Sequence, residues 1–387
     1  MAKLRNYSQD LEFIKQYEDV IVLENSSHQQ AVVVPKWQGR IMTSTTRGAQ
    51  GFSYGWVNYE RIATTTVDPK INLFGGEDRF WISPEGSQFS FFFEPGAVMD
   101  LEHWRTPPQL DMQPFELVEH DQRRAAFRQP MQLMNYQGQV FEMLVDRVVK
   151  IHDDASTAEF LGMPLPPGVF SVCHESQNSV TNVGDTDWQA AHGLPSVWML
   201  CMNKPSDHAT VIVPFRQGNS DELGGIVTAD YFGVLDQTRL QISEESGLIY
   251  FLGDGKLRSK LGVAYPRAVN YLGAWDAENQ CLTIVQFNLP DDPGVGYANN
   301  LWKIVDNPYG GDVINSYNDG PDESGGMMGP FYELETLSPA LALSAGSTYT
   351  HLHRTFHLEG DRQGLERVAQ HTFGQSLAEI EKVFSGV

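Results

Sequence analysis

The feature that most constrains the fold is a succession of short segments rich in Val, Ile, Phe and Tyr. Turn-forming residues separate these segments at short intervals, a pattern typical of β-strands. Eight segments stand out, at residues 20–25, 31–35, 89–95, 140–151, 211–215, 248–253, 281–290 and 331–337. Since no helical pattern alternates with them, a parallel α/β sheet is disfavoured and a large antiparallel β-sandwich is predicted.

Helical spacing begins near the start of the chain. Leu11, Ile14 and Tyr17 recur at the period of a helix face, behind Ser8, which can cap a helix N-terminus. These residues predict a short helix over about residues 8–18.

A second helix is predicted near the other end, over about residues 364–384, where apolar residues recur among charged ones. No repeat of fixed period is present. The stretch 161–169 is the best candidate for a linker, although its apolar residues also fit a rigid crossover between sheets. Because all-β sandwiches run well past 200 residues as one unit, length alone does not decide between one large domain and two, and the prediction is a single domain over residues 1–387.

The charge balance limits the possible partners. The chain has 49 acidic and 27 basic residues, a formal net charge of −22. Such a protein repels phosphate backbones and anionic membrane surfaces, and no Lys/Arg cluster interrupts the pattern. We therefore expect neither nucleic acid nor membrane as a partner.

The cysteines and the N-terminal residues bear on the cellular compartment. Cys173, Cys201 and Cys281 are too few and too scattered for a disulfide framework, and no Cys/His spacing indicates a structural zinc site. Asp10 and Glu12 fall where a signal peptide needs an uninterrupted apolar run. A cytoplasmic protein is predicted, unless a leader has been removed.

Three segments in order carry a resemblance to a known superfamily. They are residues 20–46, with the turn Gly39-Arg40-Ile41, then 178–200, and then 331–358, which contains ELETLSPA. Together they resemble the galactose mutarotase-like superfamily, and more closely a bacterial branch of it in which GGEDRFW recurs and from which no reaction carries over. The resemblance implies an antiparallel β-supersandwich that handles a small sugar or an oligosaccharide, possessing an activity like that of an aldose 1-epimerase.

Anomer interconversion needs a base for the anomeric hydroxyl and an acid for the ring oxygen. Leu334-Glu335-Thr336 matches the segment that carries the base in the epimerases, so the resemblance implies that Glu335 is the base. Strand alternation puts Glu333 on the same face, where two close carboxylates would raise each other's pKa. The alternative is that both face solvent on the outside of the sheet.

Two histidines are candidates for the acid. His192 follows the segment NSVTN at about the place where the epimerases have a histidine, but His-Gly-Leu-Pro replaces their aromatic continuation. His174 alternates with Val172 and Ser176 and would point into the same cleft. A single histidine in a strand is more often structural than catalytic, so both assignments stay open.

The segment FGGEDRFW (74–81) puts three charges between glycines and aromatic rings. As a sugar platform, Arg79 would offer its guanidinium to hydroxyls and Trp81 its ring face to a pyranose. Glu77 and Asp78 would line the same site. In the alternative, Arg79 pairs with Glu77 or Asp78 in a buried turn and Trp81 belongs to the core.

Arg40, in the Gly-Arg-Ile turn, is a further candidate substrate-binding residue. Tryptophans beside polar groups recur at Trp104, Trp188 and Trp302, as in many carbohydrate sites. The absence of a basic cluster argues against a phosphorylated sugar.

No cofactor or metal is expected. His351, His353 and His357 share one strand face, and histidines two apart on a strand can bind a metal. A polar outer face is the favoured interpretation, because no third ligand is evident nearby in sequence. The acidic residues Asp319, Asp322 and Glu323 lack the spacing of the known calcium loop.

Two other functions stay open. One is a sugar-binding protein that keeps the cleft but has no acid/base pair. The other is a glycosidase or lyase with Glu77 or Asp78 opposite Glu335, at the carboxylate separation that glycoside hydrolysis needs.

Overall fold

A computed structural model describes residues 5–64, 66–322 and 325–385. Glu323, in the acidic stretch considered for calcium, lies outside these ranges. Within them the chain forms eighteen strands and seven α-helices. None of the helices in this part of the chain is both long enough and apolar enough to cross a membrane.

The strands carry most of the regular structure. They are β1 Ile21–Glu24, β2 Gln30–Val34, β3 Arg40–Thr45, β4 Arg79–Ser83, β5 Glu116–His120, β6 Arg124–Met134, β7 Val140–Ile151, β8 Val169–Asn182, β9 Ser196–Asn203, β10 Ala209–Pro214, β11 Leu240–Ser243, β12 Leu248–Leu252, β13 Ser259–Ala264, β14 Tyr271–Asp276, β15 Cys281–Phe287, β16 Asp312–Asn318, β17 Tyr332–Leu337 and β18 Thr348–Gly360.

The helices are short and lie mostly between strands or at the chain ends. They are α1 Tyr7–Ile14, α2 Tyr59–Ala63, α3 Pro108–Asp111, α4 Asp154–Leu161, α5 Ser220–Leu223, α6 Arg362–Phe373 and α7 Leu377–Lys382.

The strands form three sheets. The largest has the order β11-β12-β10-β14-β15-β18-β8-β7-β6-β5, the second β13-β16-β17-β9-β4, and the third β1-β2-β3. Neighbouring strands are antiparallel throughout, for example β18 with β8 and β17 with β9. The structure therefore confirms the predicted class, an antiparallel β architecture with a few short helices.

One predicted strand was wrong. Residues 89–95 form turns and bends, although Phe91, Phe92 and Phe93 are buried. Their backbone is satisfied locally, since the N–H of Phe91 donates to the carbonyl of Pro84 and that of Phe92 to the Ser90 hydroxyl. The apolar run reflects burial in the core, and burial alone does not distinguish a strand from a packed loop.

Both predicted terminal helices exist with different bounds. The first begins at Tyr7 and ends at Ile14, because Asn6 rather than Ser8 caps it with a reciprocal capping box. The second is divided into α6 and α7 at Gly374, whose φ of 69° ends α6 in the left-handed conformation. The stretch 161–169 connects α4 to β8.

The five-stranded and ten-stranded sheets pack face to face. One core cluster includes Met199 and Leu334 of the smaller sheet together with Val149 and Val172 of the larger one. Because successive side chains point to opposite faces, every second residue of the five-stranded sheet points away from this interface. Those outward residues form the floor of the largest cleft described below.

Candidate functional site

A cleft of about 690 Å³ lies over the outward face of the five-stranded sheet. Its floor comes from Arg79 and Trp81 of β4, Trp198 and Leu200 of β9, Lys260 of β13, Tyr317 of β16, and Glu333 and Glu335 of β17. Loops add Glu85, Trp104, Tyr231, Arg258 and Trp302 to its walls. Charged groups and aromatic rings therefore meet in one concavity.

The strand registers explain which floor residues are neighbours. Glu335 pairs with Leu200, which pairs with Arg79, so these three form one row across β17, β9 and β4. Glu333 pairs with Tyr317, and Tyr317 pairs with Lys260. These three form a second row, which crosses β17, β16 and β13. The two carboxylates therefore lie between the two cations.

The ion pairs run diagonally between these rows. Arg79 Nη2 lies 3.1 Å from Glu333 Oε1, and Lys260 Nζ lies 3.2 Å from Glu335 Oε2. All four side chains are at least nine-tenths buried. Charges removed from water in this way are costly unless they are paired, so the geometry of the two pairs is tightly constrained.

The two glutamates have different surroundings. Burial raises the pKa of Glu333 to about 8, with Glu335 adding to the rise and Arg79 opposing it. A protonated Glu333 still accepts the Arg79 hydrogen bond through its carbonyl oxygen. Glu335, by contrast, accepts from both the Trp198 indole (2.9 Å) and the Lys260 ammonium at Oε2.

Lys260 stays a cation in this setting. Burial alone would lower its pKa, but Glu335, Glu85 and Glu333 together raise it above the ordinary value. Its Nζ also lies 5.0 Å from the centre of the Trp198 ring. Acid/base catalysis uses two such groups, an acid and a separately positioned carboxylate.

Four tryptophans surround the charges. Trp81 and Trp198 meet edge to face at 5.5 Å between centroids, and Trp104 and Trp302 stack at 6.1 Å. The guanidinium of Arg79 lies 4.3 Å over Trp81. This arrangement suits a ligand whose apolar CH faces pack on the aromatic rings and whose hydroxyl groups bind to the polar groups beside them.

A third carboxylate stands in the cleft wall. Glu85 accepts a hydrogen bond from the Trp104 indole at 3.0 Å. Burial raises its pKa, while Lys260 and the hydrogen bonds of Trp302 and Trp104 oppose the rise.

Four of the sequence-predicted residues line this cleft: Glu335, Glu333, Arg79 and Trp81. The alternation expected of β17 is observed, because Thr336 faces the opposite way and contacts His351 and His353 at 2.9 Å. Glu333 and Glu335 are nevertheless buried, so they do not face open solvent.

Glu77 and Asp78 do not reach the cleft. Both point into the interface between the sheets, where Glu77 Oε2 lies 2.7 Å from His357 Nε2 and Asp78 pairs with Arg147. The reason is local: the backbone N–H groups of Glu77 and Asp78 both donate to the carbonyl of Ile41, so simple alternation fails just before β4. Neither of them pairs with Arg79, nor do they face Glu335.

The two histidines considered as the acid also lie elsewhere. His174 is fully buried on β8, on the face that packs against the five-stranded sheet. His192 ends an exposed turn, Ala190–His192, and lines a separate pocket of about 460 Å³ that also includes Trp188. The period of a strand determines which face of β8 carries His174 but not which sheet that face contacts.

Arg40 is not among the residues that line the cleft. Its guanidinium donates to the carbonyl of Gly75 at 2.9 Å and to Gln38 Oε1 at 3.1 Å, and the side chain is buried. It therefore supports the Gly75-Gly76 turn. The carboxylate of Asp319 is likewise engaged, by the Tyr317 hydroxyl and the N–H groups of Met328 and Gly329.

Three residues of the cleft were not predicted from the sequence as site residues: Lys260, Trp198 and Glu85. Lys260 is a single basic residue in an apolar run, SKLGVA, and Glu85 lies in a turn-like SPEG segment. The signal for Lys260 was a cation alternating with apolar residues on a buried strand. Its partner, however, lies 75 residues away and is set by the sheet order.

Similarity to known structures agrees with this architecture. A candidate aldose 1-epimerase from Escherichia coli K12 superposes with a TM-score of 0.50 at 11% identity, over 89% of this chain and 99% of that one. The Slr1438 protein from Synechocystis sp. PCC 6803 superposes with a TM-score of 0.51 at 11% identity, over 89% and 96%. The chain has the galactose mutarotase-like fold, as the sequence predicts.

The family is defined at the level of sequence. Residues 5–384 match the model of a family of unknown function, DUF6786, and the chain belongs to that family. No curated protein sequence matches the chain.

Proposed function

We propose that this protein is a carbohydrate-active enzyme that interconverts the anomers of an aldose in the tryptophan-lined cleft. The observation that carries the proposal is the pair Glu333 and Glu335, adjacent on one strand face but held by different cations. A candidate aldose 1-epimerase of the same fold makes the anomeric centre the natural target.

Glu335 would act as the base. Trp198 and Lys260 both donate to Oε2, and among the described residues no hydrogen bond goes to Oε1. The carboxylate is therefore held by one oxygen while the other can accept the proton of the anomeric hydroxyl. Positioning of this kind is what general base catalysis requires.

Glu333 takes the role of the acid, in place of the histidines considered from the sequence. With a pKa raised by burial to about 8, it is mostly protonated at neutral pH. It would give its proton to the ring oxygen as the bond between that oxygen and C1 breaks and the carbonyl forms at C1. Rotation about the C1–C2 bond and closure by the reverse proton transfers then yield the other anomer.

The cleft floor would bind the sugar itself. Trp81 and Trp198 provide apolar faces near the charged pair, and Arg79 has further N–H groups beyond the one given to Glu333. An aromatic ring face beside a guanidinium group is suited to binding a pyranose.

The test is anomer exchange measured by NMR across a broad panel of aldoses, with the wild-type protein and Glu335→Gln. We expect faster exchange for at least one aldose and a loss of about 10²-fold or more in the variant. Glu116→Gln, on the exposed strand β5, is the matched control and should keep full activity. If no aldose exchanges faster than in buffer, the epimerase proposal fails, and binding without exchange would favour a sugar-binding protein.

One observation favours a second candidate, a glycosidase or lyase. Glu85 is a wall carboxylate whose pKa burial raises, and it is close enough to Glu335 for their charges to interact. Paired carboxyl groups across a sugar site are the machinery of glycoside hydrolysis. Release of nitrophenol from a panel of nitrophenyl glycosides, abolished in Glu85→Gln, would replace the epimerase proposal with this one.

A further inference from the structure

A second cluster of ionisable groups lies outside the cleft, in the interface between the two large sheets. Glu77 precedes β4 of the five-stranded sheet, while His174 and His357 belong to β8 and β18 of the ten-stranded sheet. One donor atom from each lies within 4.8 Å of the other two, and all three side chains are fully or almost fully buried.

His174 has an unusual environment for a buried imidazole. Within the part of the chain that the structure describes, neither of its ring nitrogens has a hydrogen-bond partner, and the nearest carboxylate oxygen, Glu77 Oε2, is 3.7 Å from Nε2. Glu77 Oε1 likewise has no partner among these residues. Buried polar atoms without partners are costly, about 1–3 kcal/mol each, so such a group calls for an explanation.

His357 is oriented as a metal ligand would be. Its Nδ1 lies 2.9 Å from the Thr283 hydroxyl, and its ring stacks on Tyr54 at 4.3 Å between centroids. These contacts direct Nε2 toward Glu77. A hydrogen bond at the remote ring nitrogen is the usual support for a histidine that binds a metal.

We propose that Glu77, His174 and His357 bind a divalent transition-metal ion, with Zn²⁺ the best fit to two imidazoles and one carboxylate. Zinc bonds of about 2.0–2.2 Å set tetrahedral donors about 3.4 Å apart. The distance from His174 to Glu77 needs to close by only a few tenths of an ångström to reach this value, and the contact from His357 to Glu77 needs to open.

The ion would have a structural role. Since the three side chains are closed off from solvent and from the cleft, the ion would crosslink the two sheets and would not contact substrate. It would also give His174 its missing partner. The metal site is independent of the reaction proposed for the cleft. A negative result for one of the two proposals therefore does not affect the other.

Metal analysis of the purified, dialysed protein tests the proposal. Protein produced with added zinc should retain about one zinc ion per chain, and chelation should lower Tm by about 3 °C or more. His174→Ala should reduce the bound metal at least tenfold. His351→Ala is the matched control, since His351 is equally buried but contacts Thr336, and it should keep its metal.

A second measurement covers the case in which His174→Ala does not fold. Wild-type protein reconstituted with Co²⁺ should show the visible absorption bands of a four-coordinate site, in which Glu77 Oε1 or a water molecule supplies the fourth donor, and Zn²⁺ should displace them. Metal-free wild-type protein whose Tm responds neither to zinc nor to chelator would overturn the proposal. The cluster would then be a Glu77–His357 hydrogen bond with a water molecule beside His174.

Discussion

Replacing Glu333 by glutamine distinguishes two descriptions of the cleft. In one, Glu333 is an ionised partner of Arg79, and the 3.1 Å contact is a buried salt bridge. In the other, burial keeps it protonated with a pKa of about 8, so that it can act as an acid. Glutamine has the same shape, stays neutral at every pH and cannot transfer a proton.

The two descriptions predict different stabilities. A pKa raised from 4.5 to about 8 is worth about 5 kcal/mol, at about 1.4 kcal/mol for each pKa unit. Because the folded pKa is raised, this stabilising contribution of Glu333 is complete below pH 4.5 and is lost as the pH rises to about 8. Relative to wild type, Glu333→Gln should therefore gain stability between these pH values, whereas breaking an ionised buried pair would cost about 3–5 kcal/mol.

Denaturant unfolding of both proteins from pH 5 to pH 9 gives the first measurement, and it needs no substrate. The second is the pH dependence of anomer exchange for the best aldose. Wild-type kcat/KM should fall tenfold for each pH unit above about 8, as the acid loses its proton. The kcat/KM of Glu333→Gln should be lower by about 10²–10⁴-fold and should not show this decrease above about pH 8. A flat wild-type profile to pH 10, or a large pH-independent loss of stability in the variant, would refute the reasoning.

Three further substitutions test other parts of the structure. Lys260→Met should lose exchange activity and destabilise the fold by about 3–5 kcal/mol in thermal unfolding, because Glu335 would be left buried without its cation; unchanged stability would count against the pair. Gly75→Ala should lower the free energy of unfolding by more than about 2 kcal/mol, since φ is 96° and a Cβ would lie 2.2 Å from the Trp56 carbonyl oxygen. An unchanged stability would contradict this backbone conformation at residue 75. His192→Ala should leave exchange within about twofold of wild type, and a large loss would restore His192 as a candidate acid.

The period-two pattern of β17 was sufficient to predict that Glu333 and Glu335 share a face. The pattern holds because β17 is a regular strand between two antiparallel neighbours. What that face meets could not be predicted, since the sheet order β13-β16-β17-β9-β4 does not follow the chain order. Arg79 lies 254 residues from its partner, and no local pattern connects them.

The segment FGGEDRFW shows where local patterns stop being sufficient. Its composition left two interpretations open, a sugar platform or a buried ion pair, and in the structure Arg79 and Trp81 line the cleft. The irregular hydrogen bonding to Ile41 turns Glu77 and Asp78 toward the other sheet instead. The side chains of this one charged segment are therefore divided between the cleft and the buried interface between the sheets. Strand alternation alone would not predict this division.

A crystal structure of Glu335→Gln with a bound aldose is the most direct test of the central claim. We expect the sugar ring against Trp81 or Trp198, with its anomeric hydroxyl within about 3.2 Å of the residue 335 side chain and its ring oxygen near Glu333. A sugar bound only in the separate pocket beside Trp188 and His192, with the cleft left to solvent, would contradict the account.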